Sequence, residues 1–263
     1  MLFDTHAHYD DDQFDGDRET LLASLPEQGV GLVVNPGCTA ASSRTAVELA
    51  RRFPHVYAAV GIHPENCGDF RPEDLDAIRA LAREDKVVAI GEIGLDYYWP
   101  ENPPRPLQQQ VLRSQLALAR ELDIPVTMVT DTYQFPMGQA MLTIYPPVGA
   151  GDLNEQGLTF LCSAGDFDAL ITGDMAGNTE KKLVERFDLP DIEVLVVGHH
   201  GSRYSSTDAF LQQVRPETAI ISVGDNSYGH PTQEAMDRLS RNGAAVYRTD
   251  RQGNVLVTVN GGT

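Results

Sequence analysis

The chain has 263 residues, of which 41 % are hydrophobic, enough for one large α/β domain or two small ones. Its net charge is −18, with 21 acids and 11 bases in residues 1–128 and 17 acids and 9 bases in residues 129–263. Neither half is basic and no basic stripe interleaved with aromatics is visible, so any work on nucleic acid has to go through bound metal and local patches.

Cys38, Cys67 and Cys162 are odd in number, far apart and without a Cys-x-x-Cys pair. This argues for a reducing compartment and against a disulfide framework. The start, MLFDTHAHYD, has no basic region followed by an apolar one. The longest apolar runs, such as 192–197, are too short to span a bilayer. The expectation is a cytoplasmic protein with no membrane segment and no protein partner that the sequence identifies.

In residues 1–128 short apolar runs alternate with amphipathic stretches. Runs at 2–3, 31–34, 56–60, 87–90 and 124–129 read as strands, and 41–53 and 107–122 read as helices. This alternation predicts a parallel sheet of βα units, whose working residues sit at the C-terminal ends of the strands. His6, His8, His63 and Glu92 each follow such a run directly. The His6-Ala-His8 spacing puts two imidazoles on one face of a strand end, where they can hold a divalent ion, and Glu92 can bridge a second. Singly these signals are weak. The histidines alone also read as surface residues before the acidic loop at 10–12, and Glu92 as an acid opening a helix.

Together the motifs DTHAHYD, NPGC, VGIHPE, AIGEIGLDYYW and LQQQVLRSQLALARELDIPV resemble the TatD family of metal-dependent deoxyribonucleases. The resemblance covers the first half. It implies a TIM-type (β/α) barrel and a two-metal site, with His6, His8 and Glu92 as ligands, Glu92 also catalytic, His63 beside the substrate, and Mg or Mn as the ion. The family pattern also asks for a histidine at a position occupied here by Val129, and for two later ligands that have no counterpart.

After 124–131 the texture changes. Strand-like runs at 141–145, 158–162, 167–171, 192–197 and 218–223 come first and then alternate with helical stretches at 179–187, 207–213 and 232–242. A hairpin is expected from 245–249 and 254–259 across the turn 250–253. Asp174 sits just past an apolar run, suited to bridging two cations or, alone, to opening a helix. His199 and His200 follow an all-apolar run between Gly198 and Gly201, which allow close approach. Ser202 and Ser205 can donate to phosphate oxygens. His230, before Pro231, reads as a turn residue or as an acid near the site.

The motifs NEQGLTFL, LITGDM, VLVVGHHGSRYSS, AIISVGDNSYGHP and VYRTDRQGNVLV resemble the metallo-β-lactamase-like C-terminal domain of ComEC-type competence proteins. That resemblance implies an αββα sandwich and a dinuclear phosphodiesterase with Zn or Mn. Asp174 would bridge, one of His199 and His200 would be the last ligand, and His230 would lie near the substrate, with Asp174 and His230 in catalytic roles. The family's first ligand cluster, His-x-His-x-Asp-His, is missing after Val129. His6-Ala-His8-Tyr-Asp10-Asp11 matches it in five of six places, with Asp11 where the last histidine belongs. The expected architecture is thus a half barrel over 1–128 followed by a partial sandwich over 129–263. The expected function is metal-dependent hydrolysis of phosphodiester bonds in DNA. The alternative is a truncated or chimeric fusion whose incomplete sites hydrolyse little or nothing.

Overall fold

The Val- and Ala-rich runs of the first half form a four-stranded sheet in the order β1 (Leu2–Asp4), β2 (Val30–Pro36), β3 (Val56–Val60), β4 (Val87–Ile90), with every pair parallel. The computed structural model describes residues 2–151 and 153–259. It divides into two compact units, Met1–Thr127 and Met128–Thr263. No helix among the described residues is long and apolar enough to cross a membrane.

In the first unit the connections are α1 (Arg18–Ser24), α2 (Ala40–Arg52) and α3 (Pro72–Leu81), and α4 (Arg105–Glu121) follows β4. Helix α2 begins where the Thr39 hydroxyl accepts from Ser42 N and the Ser42 hydroxyl accepts from Thr39 N, so two helix-end donors are satisfied reciprocally. It turns Ala46, Val47, Leu49 and Ala50 into a core with Leu22, Val33, Val56, Val60, Ile78 and Leu118. Strands of a parallel sheet are normally covered on both faces. Here the two edge strands are not: Leu2 is 54 % exposed and Val88 51 %.

The run at 124–129, expected as a fifth strand, has no regular structure. Asp123 at the end of α4 has φ +55°, and Ile124 N donates to Ala119 O, so the segment is spent on ending the helix. Pro125 cannot donate to a ladder, and Met128 is 76 % exposed. The parallel sheet has four strands and no closure among the described residues.

The second unit holds one seven-stranded sheet in the order β11–β10–β9–β8–β7–β6–β5. β5 (Tyr133–Met137), β6 (Ala140–Tyr145), β7 (Thr159–Ala164) and β8 (Phe167–Ile171) pair antiparallel. β8 then pairs parallel with β9 (Val194–Val196), β9 with β10 (Thr218–Ile221) and β10 with β11 (Ala245–Arg248). The parallel part is the part with helices: α5 (Gly177–Arg186), α6 (Asp208–Val214) and α7 (Gln233–Arg241) cross over between its strands. Leu170, Leu183, Leu195, Phe210, Leu211, Ile221 and Leu239 form the core, each fully or almost fully buried. A sandwich needs two facing sheets; among the described residues this unit has one. The expected C-terminal hairpin is also not formed. After β11 the chain enters α8 (Thr249–Gln252), and 254–259 carries no strand. Thr249 explains the turn: its hydroxyl accepts from Val223 N at 2.7 Å and donates to Val223 O at 2.7 Å, tying the end of β11 back to the loop after β10.

Candidate metal centre

Four strand ends meet at the C-terminal edge of the first sheet, and main-chain bonds knit them. Ala7 N, just past β1, donates to Val34 O of β2. Gly91 N donates to Val60 O, Glu92 N to Gly37 O and His63 N to Cys38 O, so the loops after β2, β3 and β4 are held at hydrogen-bond distance from one another. Gly61 makes the approach feasible. A Cβ there would lie 2.8 Å from the Gly91 carbonyl carbon and 3.1 Å from Glu92 O.

Helix α4 fixes this row from behind. Buried Gln115 accepts from Ile62 N at 2.7 Å and donates to Ile62 O at 3.0 Å. Buried Gln108 does the same for Asp96, accepting from its N and donating to its O, both at 2.8 Å. Ser43 of α2 accepts from Gly61 N at 3.1 Å. These three polar residues look out of place on apolar helix faces. They satisfy strand-end backbone that would otherwise be buried without partners.

On this frame the His6 and His8 Nε2 atoms stand 3.1 Å apart, and Glu92 Oε2 lies 3.3 Å from the first and 3.5 Å from the second. His63 Nε2 is 3.8 Å from Glu92 Oε1. Among the described residues, His6, His8 and Glu92 are the one group of three such side chains whose ligand atoms lie within 4.8 Å of one another. Two donors each about 2.0–2.2 Å from one ion at a tetrahedral angle are roughly 3.3–3.6 Å apart, so the donor set fits a divalent ion. Asp10 Oδ1 lies 3.7 Å from His8 Nδ1 and accepts from Asn35 Nδ2 at 2.7 Å. The Cys38 thiol is 3.9 Å from Glu92 Oε2. Burial, then the nearby negative charges of Glu92, Asp10 and Glu65, push it up to about 11.

The second unit places its candidates differently. Loops after β8, β9 and β10 carry Asp174, the His199–His200 pair and His230. Both histidines of the pair have left-handed backbone, φ +49° and +53°, a region that costs energy outside glycine. His199 N donates to Gly173 O, Ser202 N donates to His199 O, and a Cβ on Gly201 would lie 2.5 Å from Pro231 Cβ. The pair diverges: His200 pairs through Nδ1 with Ser222 O at 2.7 Å, leaving Nε2 at 3.8 Å from Asp174 Oδ1. The His199 ring instead meets the His230 ring edge-on, with centroids 5.5 Å apart. Burial first, then the charges of His199 and His200, lower the His230 pKa. His200, Tyr228 and His230 line a pocket of about 380 Å³. The two serines are not in it. Ser205 is fully buried with its hydroxyl donating to Met175 O at 2.9 Å, and Ser202, 2 % exposed, accepts from Tyr204 N. The Ser205 hydroxyl is spent on the turn, and that of Ser202 accepts a bond within it.

Residues 3–131 match the family model "TatD related DNase". The chain is 40 % identical over 126 residues to a metal-dependent hydrolase of Bacillus subtilis, YabD, a match covering 48 % of this chain and 49 % of that one. It is 37 % identical over 127 residues to the 3'-5' ssDNA/RNA exonuclease TatD of Salmonella typhimurium, covering 48 % of each. Over 103 residues it is 38 % identical to ComE operon protein 3 of Bacillus subtilis, covering 39 % of this chain and 13 % of that one. The chain therefore spans about half the length of the TatD-type relatives it matches. Strand-end histidines and carboxylate, family match and relatives agree on one point: the segment 3–131 is similar to the TatD-related DNases.

Proposed function

We propose that the protein hydrolyses phosphodiester bonds, with DNA as substrate and with divalent metal at His6, His8 and Glu92. The observation that carries this reading is the convergence of three ligand atoms within 4.8 Å at one sheet edge. A divalent ion there would polarise a phosphoryl oxygen and lower the pKa of a bound water. The chain's own part is to place donors: His6 and His8 offer ring nitrogens, and Glu92 offers carboxylate oxygens. His63, 3.8 Å from the other Glu92 oxygen, steadies that carboxylate and borders the substrate's approach. Mg or Mn is the expected ion for this site. The second unit, read as ComEC-like and metallo-β-lactamase-like, offers Asp174 and His200 toward Zn or Mn. His230, its pKa lowered, stands neutral at pH 7 as a proton acceptor beside them.

A second reading has its own observation. Among the described residues, three donors in one unit and the close pair Asp174–His200 in the other fall short of a two-ion site. Phosphodiester hydrolysis by two metals asks for two ions about 3.5–4 Å apart. On this reading the chain binds metal and turns over feebly. Turnover of a fluorescent single-stranded DNA and of bis(p-nitrophenyl) phosphate with Mg²⁺, Mn²⁺ or Zn²⁺ decides. His6→Ala/His8→Ala abolishing turnover while Asp174→Ala/His200→Ala leaves it intact assigns the chemistry to the first unit, and the reverse assigns it to the second. Fast turnover untouched by either pair would overturn the metal-hydrolase reading.

A further inference from the structure

The loop after β4 carries three aromatic residues in a row, Tyr97, Tyr98 and Trp99, a few positions past Glu92. Two of them stay out of the core: Tyr98 is 73 % exposed and Trp99 51 %. Large rings left in water side by side ask for an explanation. The loop that carries them is anchored. Gln108 of α4 grips both backbone groups of Asp96, and the Asp96 carboxylate accepts from Tyr98 N at 2.9 Å. Tyr97 is drawn back to α4, where Gln109 Nε2 donates to its hydroxyl at 3.0 Å and Arg105 Cζ stands 4.5 Å from its ring centre. Asn102 N closes a turn onto Trp99 O. The neighbours are tied down, and Tyr98 and Trp99 are held in solvent between them.

The two rings meet edge to face, with centroids 4.8 Å apart and planes at 89°, so their mutual contact leaves most of the ring faces open. Trp99 also walls a cavity of about 250 Å³ together with Pro100, Pro103 and Pro104. The two charged residues on that cavity are already engaged, Arg105 with the Tyr97 ring and Asp96 with Tyr98 N. What the loop offers a ligand is flat apolar surface. The nucleobase is the partner that fits, because every base has a face to stack. Bases in a duplex are already stacked on one another, so the match is to a single strand. Position agrees. Tyr98 is six residues past Glu92, so the two Cα atoms lie within about 22 Å, a span that one strand of a few nucleotides covers. We propose that Tyr98 and Trp99 form a stacking platform for the bases of a single-stranded nucleic acid whose phosphodiester lies at the His6–His8–Glu92 centre. The inference rests on the nuclease reading above. In a chain of net charge −18, stacking supplies an attraction that charge does not.

Trp99 is the single tryptophan of the chain, so tryptophan fluorescence reports on this loop without any assay of turnover. The full chain, with Mg²⁺ present, is titrated with a short phosphorothioate oligothymidylate, which resists hydrolysis. An end-labelled copy reports total binding by anisotropy. The expected result is quenching of Trp99 that follows the anisotropy. An abasic oligomer of the same length should bind more weakly and quench less. Tyr98→Ala/Trp99→Ala should weaken oligothymidylate binding by roughly 5–150-fold for each base that stacks, and should bind the abasic oligomer as the wild type does. Trp99→Phe, which keeps a ring, should lose less. If the double variant proves unfolded by circular dichroism, the wild-type titrations with the two oligomers still decide. Oligothymidylate bound with Trp99 emission unchanged, or an abasic oligomer that quenches as strongly, overturns the platform and leaves the nuclease reading standing. Emission that moves to the blue with rising protein concentration and no oligomer would assign the rings to a contact with a second copy of the chain, and overturns the platform too. No oligomer bound by either measure overturns both.

Discussion

Both units put histidine and carboxylate just past apolar strands, yet among the described residues only the first gathers three donors. In the first unit, main-chain bonds link the loops after β2, β3 and β4, and another ties the segment after β1 to β2. The side chains then project into a shared space from the loops at the strand ends. In the second unit the His199–His200 pair sits on left-handed backbone, which sends the two rings apart, one to Asp174 and one to His230. The difference teaches that residue type after a strand is only half of a metal site. Main-chain bonds brace the strand-end loops of both units, so the other half is the direction in which the backbone sends each ring.

The largest expected effect breaks that comparison at its strong end. His6→Ala/His8→Ala should weaken Zn²⁺ or Mn²⁺ binding by more than about 100-fold, because two of three donors go. Asp174→Ala/His200→Ala should change it little. Equilibrium dialysis with elemental analysis measures both. Equal losses from the two pairs would mean the contrast drawn here is wrong.

A core deletion is the next in size. Leu195 and Leu22 are fully buried, one in each core. Leu195→Ala and Leu22→Ala should each cost roughly 2–5 kcal/mol. Hydrogen exchange should show the first loosening residues 128–259 and the second loosening residues 2–127. A cost below about 1 kcal/mol would say the site collapses freely, against a packed core.

Much of the scaffold was visible in the chain because it is periodic. The runs at 56–60, 87–90 and 167–171 are strands with those bounds, and His6, His8 and Glu92 stood out because each follows such a run. What escaped was context. The run at 124–129 is apolar enough for a strand but is used to end α4. The 245–259 hairpin lost to the Thr249 bonds with Val223. The Arg71-Pro72-Glu73-Asp74 start of α3 was a legible signal, with Pro in the first turn and Asp74 accepting from Arg71 N, that went unread. Gln108 and Gln115 carried a fainter one: two glutamines facing inward on an amphipathic helix ask what buried backbone they serve.

Glu180 sharpens the comparison on the weaker side. It is fully buried on α5, accepts from Ser206 N and from Thr207 N and Oγ1, and so holds the loop that follows the His199–Ser202 turn. Burial, outweighing those hydrogen bonds, raises its pKa. Glu180→Ala would leave buried donors unpaired at roughly 1–3 kcal/mol for each one stranded, minus the relief of removing a buried charge. A net loss of about 2 kcal/mol by urea denaturation is expected, with Glu180→Gln costing less because it keeps an acceptor. Glu180→Gln as damaging as Glu180→Ala would show that charge, and not the acceptor atoms, does the holding.

The smallest effect is a titration. His230 is shifted down chiefly by burial, then by the neighbouring histidines, while Asp174 pulls the other way. In metal-free protein its NMR midpoint should fall below the ordinary histidine value of about 6.5. The sign follows for stability: the folded state binds the proton less readily than the unfolded chain. His230 thus favours the fold fully above about pH 6.5, and that contribution is lost as pH drops through this value toward the folded midpoint. His199→Ala, removing one of the two rings that push it down, should raise the midpoint. Asp174→Asn, removing the one attractive charge, should lower it further. The two variants must move the midpoint in opposite directions. If both move it the same way, the ring contact at 5.5 Å is not what couples these groups, and the second unit's site is looser than its left-handed turn suggests.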